Sequence, residues 1–259
     1  MSFAGKHALV TGAGRGIGAA IAGALGSGGA RLTLLGREAG ELDERASALR
    51  AAGIEARVAV ADVRDEAAVG ETFARAAEAF GAIDVLINNA GVARTRPLLK
   101  MERDFWDAIL DVNLTGTYLC SRAAARGMLA GGWGRIVNVA STAGLVGAKY
   151  ASAYCASKHG VIGLTRALAV EFAGSGITVN AVCPGFVETS LLTNALAEIT
   201  AITGRGDEAA RAAMLGQSLQ SRVITPGEVA DAVVWLCGDG AAAVTGQTVP
   251  IEASGTVHG

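Results

Sequence analysis

A tyrosine and a lysine stand four residues apart in a segment of helical character, Tyr154 and Lys158. Residues spaced i and i+4 share one face of a helix, so the phenol and the ammonium lie within mutual reach. A free phenol has a pKa of about 10, and a nearby cation favours the phenolate. We therefore expect Lys158 to lower the pKa of Tyr154, so that this tyrosine exchanges a proton with a carbonyl or alcohol oxygen near neutral pH.

Two further polar residues fit the same chemistry. Ser141 ends a β-branched run, at the edge where ligands of parallel sheets bind, and its hydroxyl can hold a substrate oxygen beside Tyr154. Asn113 lies inside a long apolar helical stretch, where an amide needs a partner. Reduction of a ketone needs a hydride at carbon and a proton at oxygen, and these residues suit the proton half. The alternative interpretation is an ordinary surface pair of Tyr154 and Lys158.

A glycine-rich turn follows the first apolar run and gives an independent signal. It reads Thr11-Gly12-Ala13-Gly14-Arg15-Gly16-Ile17-Gly18, at the junction of a predicted strand and a predicted helix. Backbone N–H groups and a helix N-terminus can face a pyrophosphate at such a turn, and Cβ atoms on its glycines would obstruct the approach. The position predicts a dinucleotide site, although turns of this kind without a ligand also occur in a chain with 36 glycines.

The end of the second predicted strand favours one dinucleotide over the other. An NAD site usually carries Asp or Glu about 20 residues past the glycine turn. Here the strand ends at Gly36 and Arg37, and the Arg37 guanidinium suits a 2′-phosphate, with Arg15 adding a second positive charge. The sequence therefore predicts NADP(H) ahead of NAD(H). Glu38 keeps NAD(H) open, because a shift of one residue would bring its carboxylate to the ribose.

Short β-branched runs alternate with longer helical stretches along the chain. Continuous apolar strands are typical of a parallel sheet covered on both faces, with right-handed crossovers. The segment 186–226 breaks this alternation, and we expect it to be an insertion that forms a small helical lid over the sheet edge. The predicted strands are 7–11, 31–35, 57–61, 83–88, 134–140, 178–183 and 247–251, and the predicted helices are 18–27, 41–52, 66–80, 105–129, 152–172 and 228–237.

Composition excludes several classes of protein. A hydrophobic content of 51% is too high for a disordered chain. The net charge is −2 with no basic block, so we expect no nucleic-acid partner. Four scattered cysteines and three histidines lack metal-binding spacing, so no metal is expected and the thiols are predicted to be buried in a reducing compartment. Without a signal region or an apolar run of membrane-spanning length, no membrane contact and a cytoplasmic location are expected.

Together the motifs resemble the short-chain dehydrogenase/reductase family along essentially the whole chain. The resemblance implies one Rossmann-like, doubly wound α/β domain over residues 1–259, with the lid at about 186–226, assembled as a homotetramer. The residues that carry it are Thr11-Gly12-x-x-x-Gly16-Ile17-Gly18, Asp62, Asn88-Asn89-Ala90-Gly91, Asn113, Ser141, Tyr154-x-x-x-Lys158 and Pro184-Gly185-x-x-x-Thr189.

The same resemblance implies roles for the site residues. Tyr154 would be the general acid/base, Ser141 would orient the substrate, and Lys158 would hold the nicotinamide ribose. Asn113 would anchor a water in a proton relay that reaches Lys158. The residues implied to contact the cofactor are Gly12, Arg15, Gly16, Ile17, Gly18, Arg37, Asp62, Val63, Asn89, Ala90, Gly91, Tyr154, Lys158, Pro184, Gly185, Val187 and Thr189.

Two groups of substrates remain after this comparison. The segments 157–161 and 177–189 look most like 3-oxoacyl-thioester and polyketide ketoreductases, whereas the lid and C-terminal region also look like 3-hydroxybutyrate dehydrogenases. The latter hold a free carboxylate with polar and basic side chains, but no charge stands at 142–144, directly after Ser141. We therefore expect NADPH-dependent reduction of a neutral or thioester-linked ketone.

Three alternatives stay open. Lys149 can supply a cation for a free acid, which keeps a secondary-alcohol or 3-hydroxy acid dehydrogenase possible. Arg94 and Arg96 can meet the phosphate of a CoA- or carrier-protein-linked substrate, or be solvated loop charges. A non-catalytic dinucleotide-binding subunit is the remaining class, and the complete set of polar site residues speaks against it.

Overall fold

The computed structural model describes residues 2–190, 192–193, 207–215 and 220–253. In this part of the chain, strands and α-helices alternate. The strands are β1 (His7–Thr11), β2 (Arg31–Gly36), β3 (Ala56–Val60), β4 (Val85–Asn88), β5 (Gly134–Val139), β6 (Ile177–Pro184) and β7 (Thr248–Ile251). The α-helices are α1 (Gly16–Ser27), α2 (Ala39–Ala51), α3 (Glu66–Phe80), α4 (Arg103–Leu110), α5 (Gly116–Gly131), α6 (Ser152–Glu171), α7 (Asp207–Leu215) and α8 (Pro226–Cys237).

The seven strands form one sheet in the order β3-β2-β1-β4-β5-β6-β7. Every neighbouring pair is parallel. The direction of winding reverses between β1 and β4, so a crevice opens there at the carboxyl ends of the strands, where open α/β sheets bind ligands. The predicted doubly wound, Rossmann-like α/β fold is confirmed.

Alternate strand residues feed two separate cores, one on each face of the sheet. In β1, Ala8 and Val10 pack with α1, α2 and α8, whereas Leu9 packs with α3 and α5 on the opposite face. The same alternation recurs in β4 because successive strand side chains point to opposite faces. Apolar residues on both faces explain why the strands read as continuous hydrophobic runs.

The helix predicted over 105–129 is interrupted in the structure. A π-helical turn at Asp111–Thr115 separates α4 from α5. Such turns are rare and occur mostly at functional sites. Periodicity alone did not reveal this turn, because the apolar face continues through it; the polar residue Asn113, buried inside the turn, is its only sequence signal.

Among the described residues of the segment 186–226, Asp207–Leu215 form α7, and residues 190, 192 and 193 are also helical. A parallel bridge between Val187 and Ile224 joins the two ends of the segment beside β6. Residues 191, 194–206 and 216–219 of the predicted lid lie outside the described residues. In the described residues no helix has the length and apolar character needed to cross a membrane.

A capping box begins α8, which packs against α1 and the sheet. The Thr225 hydroxyl accepts a hydrogen bond from the Glu228 backbone N–H (3.3 Å), and the Glu228 carboxylate accepts one from the Thr225 N–H (2.8 Å).

We expect Thr225→Ala to lower the free energy of unfolding by about 1 kcal/mol, because one N–H of the first turn loses its acceptor. Urea denaturation measures the change, and Thr225→Ser, which keeps the hydroxyl, should lose much less. Equal losses in both variants would contradict the capping role.

Candidate active site

The glycine turn lies between β1 and α1, at the crevice. Gly12 and Gly16 have φ values of +64° and +56°, which non-glycine residues seldom adopt. A Cβ on Gly18 would lie 2.2 Å from the Gly12 carbonyl oxygen, so only glycine allows α1 to start this close to the strand. The first turn of α1 has no side-chain cap and no acidic residue, so its N–H groups are available to an anion. This arrangement fits the pyrophosphate of a dinucleotide.

The Thr11 hydroxyl ties the end of β4 to this turn. Its oxygen accepts hydrogen bonds from the backbone N–H groups of Asn89 and Ala90, both at 2.9 Å. The Asn89 side-chain amide donates back to the carbonyl oxygens of Thr11 (3.0 Å) and Gly12 (3.1 Å). The predicted cofactor residues 89–91 are thereby held against the glycine turn.

Charged residues surround the ends of β2 and β3. Arg37 is exposed directly after β2, as predicted, and acts electrostatically on Asp62 after β3. Asp62 is itself held by Arg64, whose Nε and Nη2 both donate to its carboxylate (3.0 and 2.7 Å). Hydrogen bonding from Arg64 keeps the pKa of Asp62 below its usual range. Arg64 was not predicted from the sequence, although its position two residues after Asp62 makes a contact between the two side chains possible.

Arg15, the second positive charge expected beside Arg37, is paired with a carboxylate in the structure. Its guanidinium donates to the Glu41 carboxylate in the first turn of α2, with an Nη1–Oε1 distance of 2.8 Å. Gly14 permits this approach, since a Cβ there would lie 3.0 Å from the Glu41 Cβ. Val63, another residue expected to contact the cofactor, is buried and lies against Gly116. A Cβ on Gly116 would lie 2.6 Å from the Val63 Cγ2 atom.

Residues 184–189 return to the glycine turn from the far side of the crevice. Pro184 ends β6, and the Gly185 N–H donates to the Ile251 carbonyl (3.1 Å). Val187 is buried, and the Thr189 methyl would lie 3.2 Å from a Cβ on Gly16. The structure thus brings both ends of the predicted cofactor set together around α1, where Ile17 is half-buried.

Lys158 is buried, with 5% of its surface exposed. Its ammonium donates to the Val139 carbonyl oxygen at the end of β5 (2.8 Å), and a Cβ on Gly91 would lie 3.6 Å from its Nζ. Burial lowers the pKa of Lys158 to about 8. The ammonium therefore reaches the crevice from α6 and faces the segment after β4.

Tyr154 lies one turn earlier on α6 and is partly buried. Burial raises the pKa of Tyr154, and hydrogen bonding to Ser141 opposes this rise without reversing it. The pKa of Tyr154 is therefore raised, whereas we expected from the sequence that Lys158 would lower it. The ammonium donates to Val139 and lies 5.9 Å from the centre of the phenol ring, so desolvation of the phenolate outweighs its attraction.

Ser141 directly follows the sheet end and faces Tyr154. Its oxygen accepts the Ala143 N–H (3.1 Å), and this bond leaves the hydroxyl proton available for donation. Ser141 and Tyr154 thus form a pair of hydroxyls that can converge on one oxygen atom of a substrate.

The Asn113 amide in the π-helical turn has hydrogen-bond partners, as its apolar surroundings in the sequence predict. Its Oδ1 accepts the Val92 N–H (2.8 Å), and its Nδ2 donates to the Val92 carbonyl (2.9 Å) and to the Ser157 hydroxyl (3.0 Å). Ser157, which donates in turn to the Tyr154 carbonyl (2.7 Å), was missed by the sequence reasoning. Ser157 stands one residue before Lys158 on α6, and this neighbourhood could have indicated it.

Basic and apolar residues surround the outer part of the site. The Arg96 N–H donates to the Tyr150 carbonyl (2.7 Å), and the Arg96 guanidinium lies 4.4 Å from the centre of the Phe105 ring. Lys149 lies over the Tyr150 ring at 5.0 Å, and Arg94 is exposed in the same loop as Arg96. The loops after β4 and β5 are therefore joined at this side of the crevice.

A family model described as short chain dehydrogenase matches residues 6–199. Among relatives, a 3-oxoacyl-[acyl-carrier-protein] reductase FabG of Pseudomonas aeruginosa is 41% identical, over 97% of this chain and 98% of its own. Cis-4-hydroxycyclohexanecarboxylate dehydrogenase of Sinomonas cyclohexanicum is 41% identical, over 97% of this chain and 96% of its own. D-beta-hydroxybutyrate dehydrogenase of Rhizobium meliloti is 37% identical, over 98% and 99% of the two chains.

Solved structures give the same result. A variant of actinorhodin polyketide ketoreductase, crystallised with NADPH, superposes with a TM-score of 0.92 at 40% identity, covering 96% of both chains. An NAD+-bound xylitol dehydrogenase superposes with a TM-score of 0.92 at 34% identity, covering 98% of this chain and 100% of its own. From its sequence, its fold and the arrangement of its crevice, the chain belongs to the short-chain dehydrogenase family of oxidoreductases.

Proposed function

We propose that the protein is an NADPH-dependent reductase of a 3-oxoacyl thioester or similar polyketide-like ketone. The observation that carries this proposal is the convergence of Ser141, Tyr154 and Lys158 on the edge of the crevice that the glycine turn borders. The resemblance to 3-oxoacyl and polyketide reductases supports the substrate class.

The reaction divides between cofactor and protein. The nicotinamide, when bound, supplies the hydride that reaches the carbonyl carbon. Tyr154 gives its hydroxyl proton to the carbonyl oxygen, so the ketone becomes a secondary alcohol, and Ser141 donates a hydrogen bond that holds the same oxygen. Lys158 binds the ribose, and its positive charge offsets only part of the cost of desolvating the tyrosinate left behind. Asn113 holds the water through which the proton is replaced.

The cofactor preference rests on Arg37. The guanidinium stands at the end of β2 without a carboxylate at the preceding position, Gly36, and it suits a 2′-phosphate. The NADPH-bound polyketide ketoreductase supports this assignment, and the NAD+-bound xylitol dehydrogenase shows that the fold also serves the other cofactor. Residues 12–18, 62–63, 89–91 and 184–189 complete the proposed binding surface.

Two features support a thioester-linked or uncharged ketone as the substrate. The residues directly after Ser141 carry no charge, and apolar side chains nearby are exposed. Thr142 to Gly144 carry no charge, and Leu145, Val146 and Tyr150 are exposed in the following loop. A free-acid substrate would need a cation, and Lys149 is the basic residue of that loop. This lysine, with the hydroxybutyrate and hydroxycyclohexanecarboxylate dehydrogenases among the relatives, supports a hydroxy-acid dehydrogenase as the second candidate.

Three features of organisation belong to the same proposal. The chain acts as one domain over residues 1–259, the segment 186–226 serves as the substrate lid, and four copies assemble as a homotetramer. The bridge between Val187 and Ile224, which anchors both ends of that segment, supports the lid. Size-exclusion chromatography with light scattering measures the number of copies directly.

We expect Tyr154→Phe to lower kcat for ketone reduction by about 10²- to 10⁴-fold, because the proton donor is lost. Steady-state kinetics with β-keto thioesters, free β-keto acids and simple ketones measure the effect and the substrate class together. Tyr118→Phe, on an exposed tyrosine of α5, is the matched control and should keep wild-type rates. Wild-type rates in the Tyr154 variant would exclude the mechanism, and activity on the free acids alone would favour the second candidate.

Arg37→Leu should weaken NADPH binding by about 10- to 100-fold, since a charge-assisted bond to the 2′-phosphate is lost. NADH, which lacks that phosphate, should bind nearly as it does to the wild type. Calorimetric titration with each cofactor gives both constants. Arg126→Leu, an exposed arginine on α5, controls for the change in net charge. An equal loss for both cofactors would refute the 2′-phosphate assignment.

Burial of Lys158 makes the free energy of unfolding depend on pH. Its pKa of about 8 in the folded chain lies below the ordinary lysine value of 10.5, so the unfolded chain binds more protons between these limits. Stability therefore rises with pH across this window. Relative to Lys158→Met, the wild type should gain about 3 kcal/mol of unfolding free energy between pH 7 and pH 11. Urea titrations at each pH test this, because other groups titrate alike in both proteins. A difference that does not change with pH would contradict it.

A further inference from the structure

Of the charged side chains beside the proposed 2′-phosphate position, some form ion pairs and Arg37 does not. Asp62 is bound by Arg64, and Glu41 is bound by Arg15. Within the described part of the chain, Arg37 has no hydrogen bond or salt bridge, so its guanidinium can accept an anion at no loss of an existing contact. Arg15 has further N–H donors free, but its positive charge is already shared with the Glu41 carboxylate.

The position of Glu41 makes this competition direct. Glu41 lies in the first turn of α2, four residues after Arg37, and its side chain packs against the glycine turn beside Gly14. A Cβ at Gly14 would lie 3.1 Å from the Glu41 Oε2 atom, so the carboxylate lies directly against the glycine turn. A phosphate placed between Arg15 and Arg37 would therefore meet this negative charge.

We propose that Glu41 is a specificity-determining residue that restrains the preference for NADPH over NADH. The proposal rests on the proposed function, which places the 2′-phosphate at Arg37. Glu41 holds Arg15 in an ion pair and repels the dianionic phosphate, so it weakens NADPH binding. NADH carries only hydroxyls on that ribose and is little affected. The carboxylate is partly exposed, so salt should reduce its influence.

The test measures dissociation constants, which do not depend on turnover. Titration calorimetry at low salt compares NADPH and NADH in the full chain and in Glu41→Gln. We expect NADPH to bind about 3- to 10-fold more tightly to the variant, and NADH to be unchanged. The gain should shrink at high salt. Glu44→Gln, at an exposed glutamate of the same helix, controls for the lost charge and should change the ratio much less.

A second pair of variants isolates the role of Arg15. In the wild-type background, Arg15→Gln should weaken NADPH binding less than it does in the Glu41→Gln background, because Glu41 already shares the charge of the guanidinium. In the Glu41→Gln background, the same substitution should remove most of the gain. This dependence of one substitution on the other is the signature of competition for a shared partner.

Other results would overturn the inference. Weaker NADPH binding in Glu41→Gln would mean that Glu41 orients Arg15 towards the phosphate, and equal changes for both cofactors would mean that Glu41 acts on the fold or the adenosine. No change in Glu41→Gln, together with a loss of NADPH binding in Arg37→Leu, refutes this inference and leaves the proposed function standing. Unchanged NADPH binding in Arg37→Leu refutes the proposed cofactor, whatever Glu41 does.

Discussion

One hydroxyl group holds the two halves of the sheet in the geometry that the site needs. Thr11 Oγ1 accepts the N–H groups of Asn89 and Ala90 and donates to the Ile87 carbonyl, so it joins the end of β1 to the end of β4. These strands are neighbours in space but are separated by two strands and three helices in the chain. Because the glycine turn begins at Thr11, any loosening of this contact would shift α1 relative to residues 89–91.

Burial disfavours the charged forms of two ionisable side chains in the crevice, those of Lys158 and Tyr154. Lys158 reaches its place by losing water, which lowers its pKa, and Tyr154 becomes a weaker acid for the same reason. These surroundings disfavour charge on both side chains, and hydrogen bonds to the Val139 carbonyl and with the Ser141 hydroxyl partly compensate for the lost water. Stability given up at an active site in this way is common in enzymes.

The fold was predictable because its signals are local. The continuous apolar strands and the glycine turn at Thr11 reflect a sheet covered on both faces and a helix that starts close to a strand. The Tyr154–Lys158 spacing could be interpreted because both residues lie on one helix, and the buried amide of Asn113 demanded a partner. The contacts of Arg15 with Glu41 and of Asn113 with Ser157 join different elements, so no local pattern encodes them. The direction of the Tyr154 pKa depends on burial, which only the packed chain determines.

The interrupted helix has a consequence for folding kinetics. Asn113 bonds to Val92, 21 residues before it, and to Ser157, 44 residues after it, so three distant segments must arrive before its amide is satisfied. Contacts of such long sequence separation form late, because the chain must first lose the entropy of closing the loops between them. The crevice should therefore be completed only in the last stage of folding, and a partly folded chain would offer a cofactor no finished surface.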